Sequence, residues 1–302
     1  MKNKKKWYAF SEEELQILKE LASGIQELPE LEQKLRIKPN LISYHLRKLE
    51  RKGLIKVKPI SYWSQKSEAR KIAVFTNLKH ATILKTFLKE NHFSIEWEKA
   101  LSGFGIEVLF NATAYPNQPR SVSYPTFWRY CKKLNDIGII TLNDLGYYKI
   151  NDHLLTFQGF IKEYQAYIAA EETLENLSGN PQILWQKGPE FLIKVPKGTV
   201  ITQKGFEKTG TLVLSKYGNV DFEDFDFYFY PKIVKKLSVE ETILHILLEE
   251  KGNTKYSTYS YLLLNQELSF LDEKLLLEKA EWYDLSRQVN NLLKIAKFRR
   301  HS

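Results

Sequence analysis

The chain of 302 residues has one cysteine and no long apolar run. A single cysteine, Cys131, cannot form an internal disulfide, which fits a reducing compartment. No stretch of 18 or more apolar residues occurs, and the basic start MKNKKKWYAFSEEE has no apolar segment behind it. We therefore expect neither a transmembrane helix nor a secretory signal, and the predicted location is the cytoplasm.

The sequence also lacks the usual motifs of enzymes and metal sites. The six histidines have no metal-ligand spacing with one another or with Cys131. No Gly-rich phosphate loop, nucleophile elbow or Cys–His pair occurs. Asp224 and Asp226 share one face of a strand pattern, as in some Mg²⁺ sites, but a third carboxylate and an upstream Gly-Ser turn are missing. We predict a protein that is not an enzyme and has no cofactor or metal.

The positive charge is concentrated near the N-terminus. The formal net charge is +9. Residues 1–71 contain 17 Lys or Arg against 9 Asp or Glu, residues 72–171 contain 10 against 9, and residues 172–302 contain 18 against 18. A basic first quarter followed by a nearly neutral remainder indicates one module that binds a polyanion.

The first quarter has the pattern of three helices followed by two strands. Ser11 and Glu14 form a capping box at the start of SEEELQILKELAS, and ELPELEQKL predicts a short second helix. In KPNLISYHLRKLERKGLIKVKP, residues 38–59, Pro39 starts a third helix and Gly53 follows its end. LIKVKPI and IAVFT are predicted strands joined by the polar turn SYWSQKSEARK. This order predicts a winged helix-turn-helix.

The third helix combines an apolar side with a basic side. Ile42, Leu46 and Leu49 follow the helical period and predict a packing seam, with His45 beside it as a packing or hydrogen-bonding residue. In a winged helix the third helix enters the major groove of double-stranded DNA, with its N-terminal half near base edges. We predict base or backbone contacts from Asn40, Ser43, Tyr44 and Arg47, and phosphate contacts from Lys48 and Arg51. The wing residues Lys66, Arg70 and Lys71 are predicted to follow the adjacent backbone or the minor groove. The Lys-rich arm, residues 2–6, is either a further backbone contact or a solubilising tail.

The string NLISYHLRKLERKGLI resembles the recognition helix and strand entry of winged-helix regulators of the arsenical-repressor type. The family pattern is a polar start, a His-Leu pair, a basic-Lys-Leu step and a Gly-Leu exit, which correspond here to Asn40–Ser43, His45-Leu46, Arg47–Leu49 and Gly53-Leu54. The resemblance covers about residues 10–76. It implies a DNA-binding transcription regulator. The metal-ligand cysteines of the sensor members are missing, so we do not expect metal sensing.

The same pattern recurs 85 residues later. Ile42, Leu46, Leu49 and Gly53-Leu54-Ile55 align with Phe127, Cys131, Leu134 and Gly138-Ile139-Ile140. SYPTFWRYCKKLNDIGII is therefore a second predicted third helix, with GIEVLFNATAY packed beneath it and TLNDLGYYKIN as a short hairpin. Thr126, Arg129 and Lys132 are candidate DNA contacts on its exposed side. The alternative is a packing or dimerisation copy, because Asp136 stands where the first copy has Arg51.

The remaining sequence predicts a long helix and an α+β domain. NDHLLTFQGFIKEYQAYIAAEETLENL is a candidate connector or homodimer helix, and SGNP at 178–181 marks a boundary. EFLIKVP, TVIT, GTLVLSKYG and FDFYFYP are predicted strands, and a capping box of Ser238 and Glu241 opens a helical end. The layout is similar to the C-terminal domain of type IV abortive-infection antitoxins, which implies a partner-facing role.

These patterns together predict a mainly α fold with small β-sheets, an α+β chain with tandem winged helix-turn-helix units. The predicted domains are a winged helix DNA-binding domain (1–80), a second winged-helix-like domain with the connector helix (81–177) and an α+β interaction domain (178–302). We predict a sequence-specific transcription regulator that binds double-stranded DNA and no membrane. The alternative is an antitoxin-like protein that represses its own operon and binds a partner toxin through its C-terminal domain.

Overall fold

The computed structural model describes residues 7–59, 71–91, 97–113, 123–175, 177–210, 225–231, 237–249 and 271–300. The fold is mainly α with small antiparallel sheets, as predicted. The chain divides into two compact units, Met1–Ala169 and Ala170–Ser302. The division into three domains stays a prediction. Within the described ranges, no helix is both long and apolar enough to cross a membrane.

The first unit begins with the predicted winged helix-turn-helix. Its elements are α1 (Glu12–Ser23), α2 (Leu28–Leu35), α3 (Pro39–Arg51), β1 (Ile55–Pro59) and β2 (Lys71–Phe75). The capping box is present, because the Glu14 N–H donates to Ser11 Oγ at 3.3 Å and the Ser11 N–H donates to the Glu14 carboxylate at 3.1 Å. β1 and β2 pair antiparallel, with Ile55 opposite Phe75 and Pro59 opposite Lys71. The polar turn between these strands lies outside the described residues.

Next come α4 (Lys79–Asn91) and α5 (Trp97–Leu101), and then the second copy, with α6 (Gly105–Ala112), α7 (Tyr124–Asp136), β3 (Ile140–Leu142) and β4 (Tyr148–Ile150). The end of α7 repeats the hydrogen bonds at the end of α3. Gly53 N–H donates to Glu50 O, and Gly138 N–H donates to Asn135 O, both at 2.9 Å. These two glycines have φ of 66° and 75°, where glycine is favoured. The predicted repeat is confirmed, with a hairpin ten residues shorter than the first wing.

After a 3₁₀ turn at Asp152–Leu154, α8 (Leu155–Leu174) carries a row of buried aromatic rings into the core of the first unit. Phe157, Phe160, Tyr164 and Tyr167 are each at most 4% exposed. The Tyr164 hydroxyl donates to the Tyr8 carbonyl at 2.7 Å, which satisfies the one polar group in a buried ring. The part of α8 before Ala170 is thus in the core of this unit.

The described residues of the second unit form a four-stranded sheet followed by three helices. The sheet consists of β5 (Gln182–Lys187), β6 (Glu190–Pro196), β7 (Glu207–Lys208) and β8 (Phe225–Tyr230), in the antiparallel order β5-β6-β8-β7. Leu192 and Phe229 pack with α9 (Val239–Glu249), α10 (Glu273–Trp282) and α11 (Ser286–Arg300). The opposite face buries Phe191 and Ile193. This alternation is expected for a sheet covered on both faces.

Two predicted details of the second unit can be compared with the structure. The capping box of Ser238 and Glu241 is confirmed by reciprocal hydrogen bonds of 3.3 Å. The strand prediction for TVIT is wrong, since residues 199–202 form no strand. The Thr199 N–H instead donates to the Pro196 carbonyl at 3.1 Å, and Gly198 between them has a φ of 79°, so the chain turns there. GTLVLSKYG beyond Gly210, and Asp224, lie outside the described residues.

Candidate nucleic-acid interface

The predicted contact residues of α3 lie on one outward face. Successive helical residues rotate by about 100°, so Asn40, Ser43, Tyr44, Arg47 and Arg51 share that face, and all five are exposed. The opposite side buries the predicted seam of Ile42, Leu46 and Leu49. Lys48 lies at the edge of the outward face, and its side chain is 35% exposed. The structure thus groups these residues on one exposed face, as the sequence predicts.

A buried carboxylate on α1 holds α3 in place. The Glu14 side chain is fully buried, and its two oxygens lie 2.7 Å from Lys48 Nζ and 3.0 Å from Lys52 Nζ. Lys52 is itself fully buried, and desolvation lowers its pKa while the Glu14 charge opposes that change. His45 Nδ1 lies 4.0 Å from Glu14 Oε1, and burial lowers the His45 pKa. This cluster is not predicted from the sequence.

Three side chains bind the last carbonyl groups around the end of α3. His80 Nε2 lies 2.9 Å from the Lys52 carbonyl and must carry the proton, because a carbonyl can only accept. The Thr76 hydroxyl donates to the Gly53 carbonyl, and the Tyr167 hydroxyl donates to the Arg51 carbonyl at 3.3 Å. Complete burial lowers the pKa of His80 to about 4, so this ring is neutral at pH 7. The end of α3 is therefore tied to three separate segments.

A groove of about 360 Å³ separates the outward face of α3 from the wing strands. Ser43, Arg47 and Glu50 line it from the helix. Lys71, the exposed first residue of β2, lines it from the wing. Glu50 Oε1 accepts the Val57 N–H at 2.9 Å and so joins the helix to β1. The other two predicted wing contacts, Lys66 and Arg70, and the arm residues Lys2, Lys4, Lys5 and Lys6 lie outside the described residues.

The outward face of α7 differs from that of α3. Arg129 and Lys132 are exposed, whereas Thr126 is half-buried and its hydroxyl accepts a hydrogen bond from Ser123 Oγ at 3.0 Å. Trp128 occupies the position that corresponds to Ser43; it is 49% exposed, and its ring centroid lies 5.6 Å from that of Tyr148. This face is therefore more aromatic than that of α3.

The remaining candidate chemistry is not assembled into a site. Cys131 is fully buried, and burial raises its pKa to about 12. Among the described residues, no group of three or more His, Cys, Asp or Glu side chains is placed to hold a metal ion.

The sequence signal that could have located the missed Glu14 cluster was weak. Lys52 follows the helix at a position where the second copy has an apolar residue, Ile137.

Comparison with known proteins identifies the N-terminal module. Residues 11–57 match the family model described as "Bacterial regulatory protein, arsR family", a helix-turn-helix model. The match spans α1 to α3 and enters β1. No curated protein and no solved structure matches the chain significantly. The N-terminal segment is thus a helix-turn-helix similar to that of arsR-family regulators, and this supports a DNA-binding role in transcription regulation.

Proposed function

We propose that the protein is a sequence-specific, DNA-binding transcription regulator that reads double-stranded DNA with α3. The observation that carries this proposal is the outward face of α3, where Asn40, Ser43, Tyr44, Arg47 and Arg51 are exposed side by side. Side chains of these types bind base edges and phosphates. In a helix-turn-helix the corresponding helix lies in the major groove.

The electrostatics of this face support a polyanionic partner. Within the described part of the chain, no carboxylate forms a salt bridge with Arg47 or Arg51. Arg47 Nε donates to the Ser43 carbonyl at 3.3 Å, and the Arg51 guanidinium lies 5.1 Å from the Trp7 ring centroid. Both contacts orient a side chain without neutralising its charge. Lys48 differs, because Glu14 already lies beside it.

The roles that we propose follow from these positions. Asn40, Ser43, Tyr44 and Arg47 face base edges or the adjacent backbone, and Lys48, Arg51, Lys66, Arg70 and Lys71 bind phosphates. Thr126, Arg129 and Lys132 of the second copy contribute less, because Asp136 lies exposed on the same helix and repels phosphate. A regulator of this kind acts where the chromosome is, so the cytoplasm remains the proposed location.

For the rest of the chain we propose only general domain roles. We propose that residues 81–177 are a second winged-helix domain with a connector helix, and that residues 178–302 form an interaction domain. A homodimer and a protein partner at the C-terminal domain stay predictions. The antitoxin alternative also stays a prediction, and no comparison favours it.

The proposal is tested by selecting a preferred duplex from a random-sequence pool with the full chain. Arg47→Ala should then weaken binding to that duplex by about 1–3 kcal/mol and relax the base preference at one position. Lys132→Ala removes the corresponding cation of the second copy and should cost less than about 0.5 kcal/mol. Failure of the full chain to enrich any sequence would contradict the proposal.

A further inference from the structure

The groove between α3 and the wing has features that phosphate binding alone does not need. Part of its lining is apolar, with Leu28 from α2, Leu46 from α3 and Val57 from β1. Its volume of about 360 Å³ is within the range of small-molecule sites, which is roughly 300–1,000 Å³. A DNA phosphate is fully hydrophilic and gains nothing from an apolar lining. The groove therefore fits a ligand with an apolar body.

The polar lining defines the charge of that ligand. Arg47, Lys58 and Lys71 line the groove, against a single carboxylate, Glu50. That carboxylate already accepts the Val57 N–H at 2.9 Å. In the described part of the chain, no salt bridge engages any of the three cations. Charge-assisted hydrogen bonds from such groups are strongest to carboxylates, sulfonates or phosphates.

The second copy has bulkier side chains at the corresponding positions. Trp128 stands at the position of Ser43, and Tyr148 stands at the position of Ala73 in the paired strands. The two rings lie 5.6 Å apart, so bulky aromatic groups stand where the first copy has small side chains. The small Ser43 side chain in the lining thus helps to keep the groove open in the first copy.

We propose that this groove binds a small organic anion, with the apolar body on Leu46 and Val57 and the anionic group between Arg47 and Lys71. Ser43 and Arg47 belong both to the groove and to the face proposed for DNA. A bound anion and DNA therefore compete, which makes the anion an inducer-like effector that weakens DNA binding. This last consequence rests on the proposed function, whereas anion binding itself does not.

The test uses the full chain and 4-(trifluoromethyl)benzoate as the probe, with 4-(trifluoromethyl)benzamide as its neutral counterpart. Binding is followed by ¹⁹F NMR line broadening. For a probe of this size we expect a Kd on the order of 1 mM. The benzamide should bind about tenfold more weakly, because it cannot form charge-assisted bonds. Equal binding of the two probes would overturn the proposal.

Three variants locate the site. Ser43→Trp copies the residue of the second copy and should weaken benzoate binding about tenfold or more by filling the groove. Lys71→Gln should weaken it about fivefold to tenfold without filling any space. Lys56→Gln removes the same charge from exposed β1 surface outside the lining and should leave binding within about twofold. Wild-type affinity in both Ser43→Trp and Lys71→Gln would overturn the assignment.

Competition with DNA separates this proposal from the proposed function. The benzoate should raise the Kd of the wild-type chain for a random duplex, compared with sodium chloride added at the same concentration. If the chain binds benzoate selectively but binds no DNA, the groove site stands and the regulator proposal fails. If it binds DNA but shows no preference for benzoate over benzamide, only the groove proposal fails.

Discussion

The two third helices, α3 and α7, share a frame but differ in how they are held and in what they expose. The frame is the same at both places, with the same hydrogen bonds and a left-handed glycine at the end of each helix. The first helix is held by a buried carboxylate and two lysines, whereas the second has Ile137 where Lys52 stands. The first exposes Arg51, and the second exposes Asp136 at the same position.

This difference distinguishes the residues that form the winged-helix fold from those that we propose to bind DNA. Both copies have the apolar seam and the glycine after the helix, and these suffice to form a helix followed by a hairpin. A buried ion pair adds little net stability relative to a well-packed apolar pair, but it fixes one arrangement of its helices in some proteins. We therefore interpret the Glu14 cluster as a device that fixes the orientation of α3.

The largest expected effect comes from removing the buried carboxylate. Glu14→Ala leaves Lys52 buried without its counterion and also removes half of the capping box, so the free energy of unfolding should fall by about 3–5 kcal/mol. Urea denaturation followed by circular dichroism measures this change. Glu13→Ala, at the exposed neighbouring position, should cost less than about 1 kcal/mol.

A double variant sharpens the same comparison. Glu14→Leu combined with Lys52→Met gives the first copy an apolar anchor like that of the second. It should recover most of the stability lost in Glu14→Ala, because no buried charge is left without a partner in that pair. A double variant as unstable as Glu14→Ala would show that the cluster matters for packing rather than charge.

The next effect is a pH dependence of stability that comes from His80, whose ring binds the Lys52 carbonyl at the end of α3. The pKa of His80 is about 4 in the fold against 6.5 for an ordinary histidine, so the neutral ring is favoured in the folded state. Its stabilising contribution is complete above pH 6.5 and is lost as the pH falls from 6.5 to 4. The loss should reach about 3 kcal/mol. Unfolding measured across this range should show a shallower slope in His80→Gln.

The control for this prediction is on the second copy. His153→Gln, at an exposed histidine, is this control variant. Burial lowers the pKa of His45 as well, so His80→Gln should reduce the slope rather than abolish it. A slope that does not change in His80→Gln would contradict the account of the end of α3.

A smaller effect distinguishes the two glycines that end the third helices, Gly53 after α3 and Gly138 after α7. Both glycines have positive φ, so alanine costs about 1–2 kcal/mol at either position. A Cβ at Gly53 would also lie 2.6 Å from the buried Tyr167 ring, whereas at Gly138 nothing lies within 4 Å. Gly53→Ala should therefore destabilise by about 2 kcal/mol more than Gly138→Ala in thermal unfolding. Equal costs would mean that the Tyr167 contact does not constrain α3.

Many features of α3, α7 and their hairpins can be predicted from short stretches of sequence. The apolar seam, the capping box and the glycine exit are signals within a dozen residues, and they identified α3, α7 and their hairpins correctly. The exposure of Asn40, Ser43, Tyr44 and Arg47 followed from the same helical period. The sequence analysis assigned no element to residues 79–101, where α4 and α5 lie, although Leu84 and Leu88 have helical spacing.

The parts that could not be predicted depend on contacts between distant residues. Lys52 belongs to a basic run that is typical of a solvated or DNA-facing surface, yet it is fully buried because Glu14, 38 positions earlier, lies beside it. Lys48 has the same partner, which no local pattern indicates. The groove also depends on the distance between a helix and a strand pair. The side-chain types along a helix predict which of its faces is basic. Which of its cations have a carboxylate partner depends on contacts between residues that are far apart in the sequence.

The central claim is that the first copy, rather than the second, binds the phosphates of DNA. The most direct test compares Arg51→Ala/Lys71→Ala with Arg129→Ala/Lys132→Ala in the full chain, by titrating a duplex at several salt concentrations. Each phosphate contact contributes about 0.9 to the slope of log K against log[salt]. The account predicts that the first pair lowers the slope by nearly 2 units and the second by less than about 1. A loss near 2 for the second pair, with little change for the first, would contradict it.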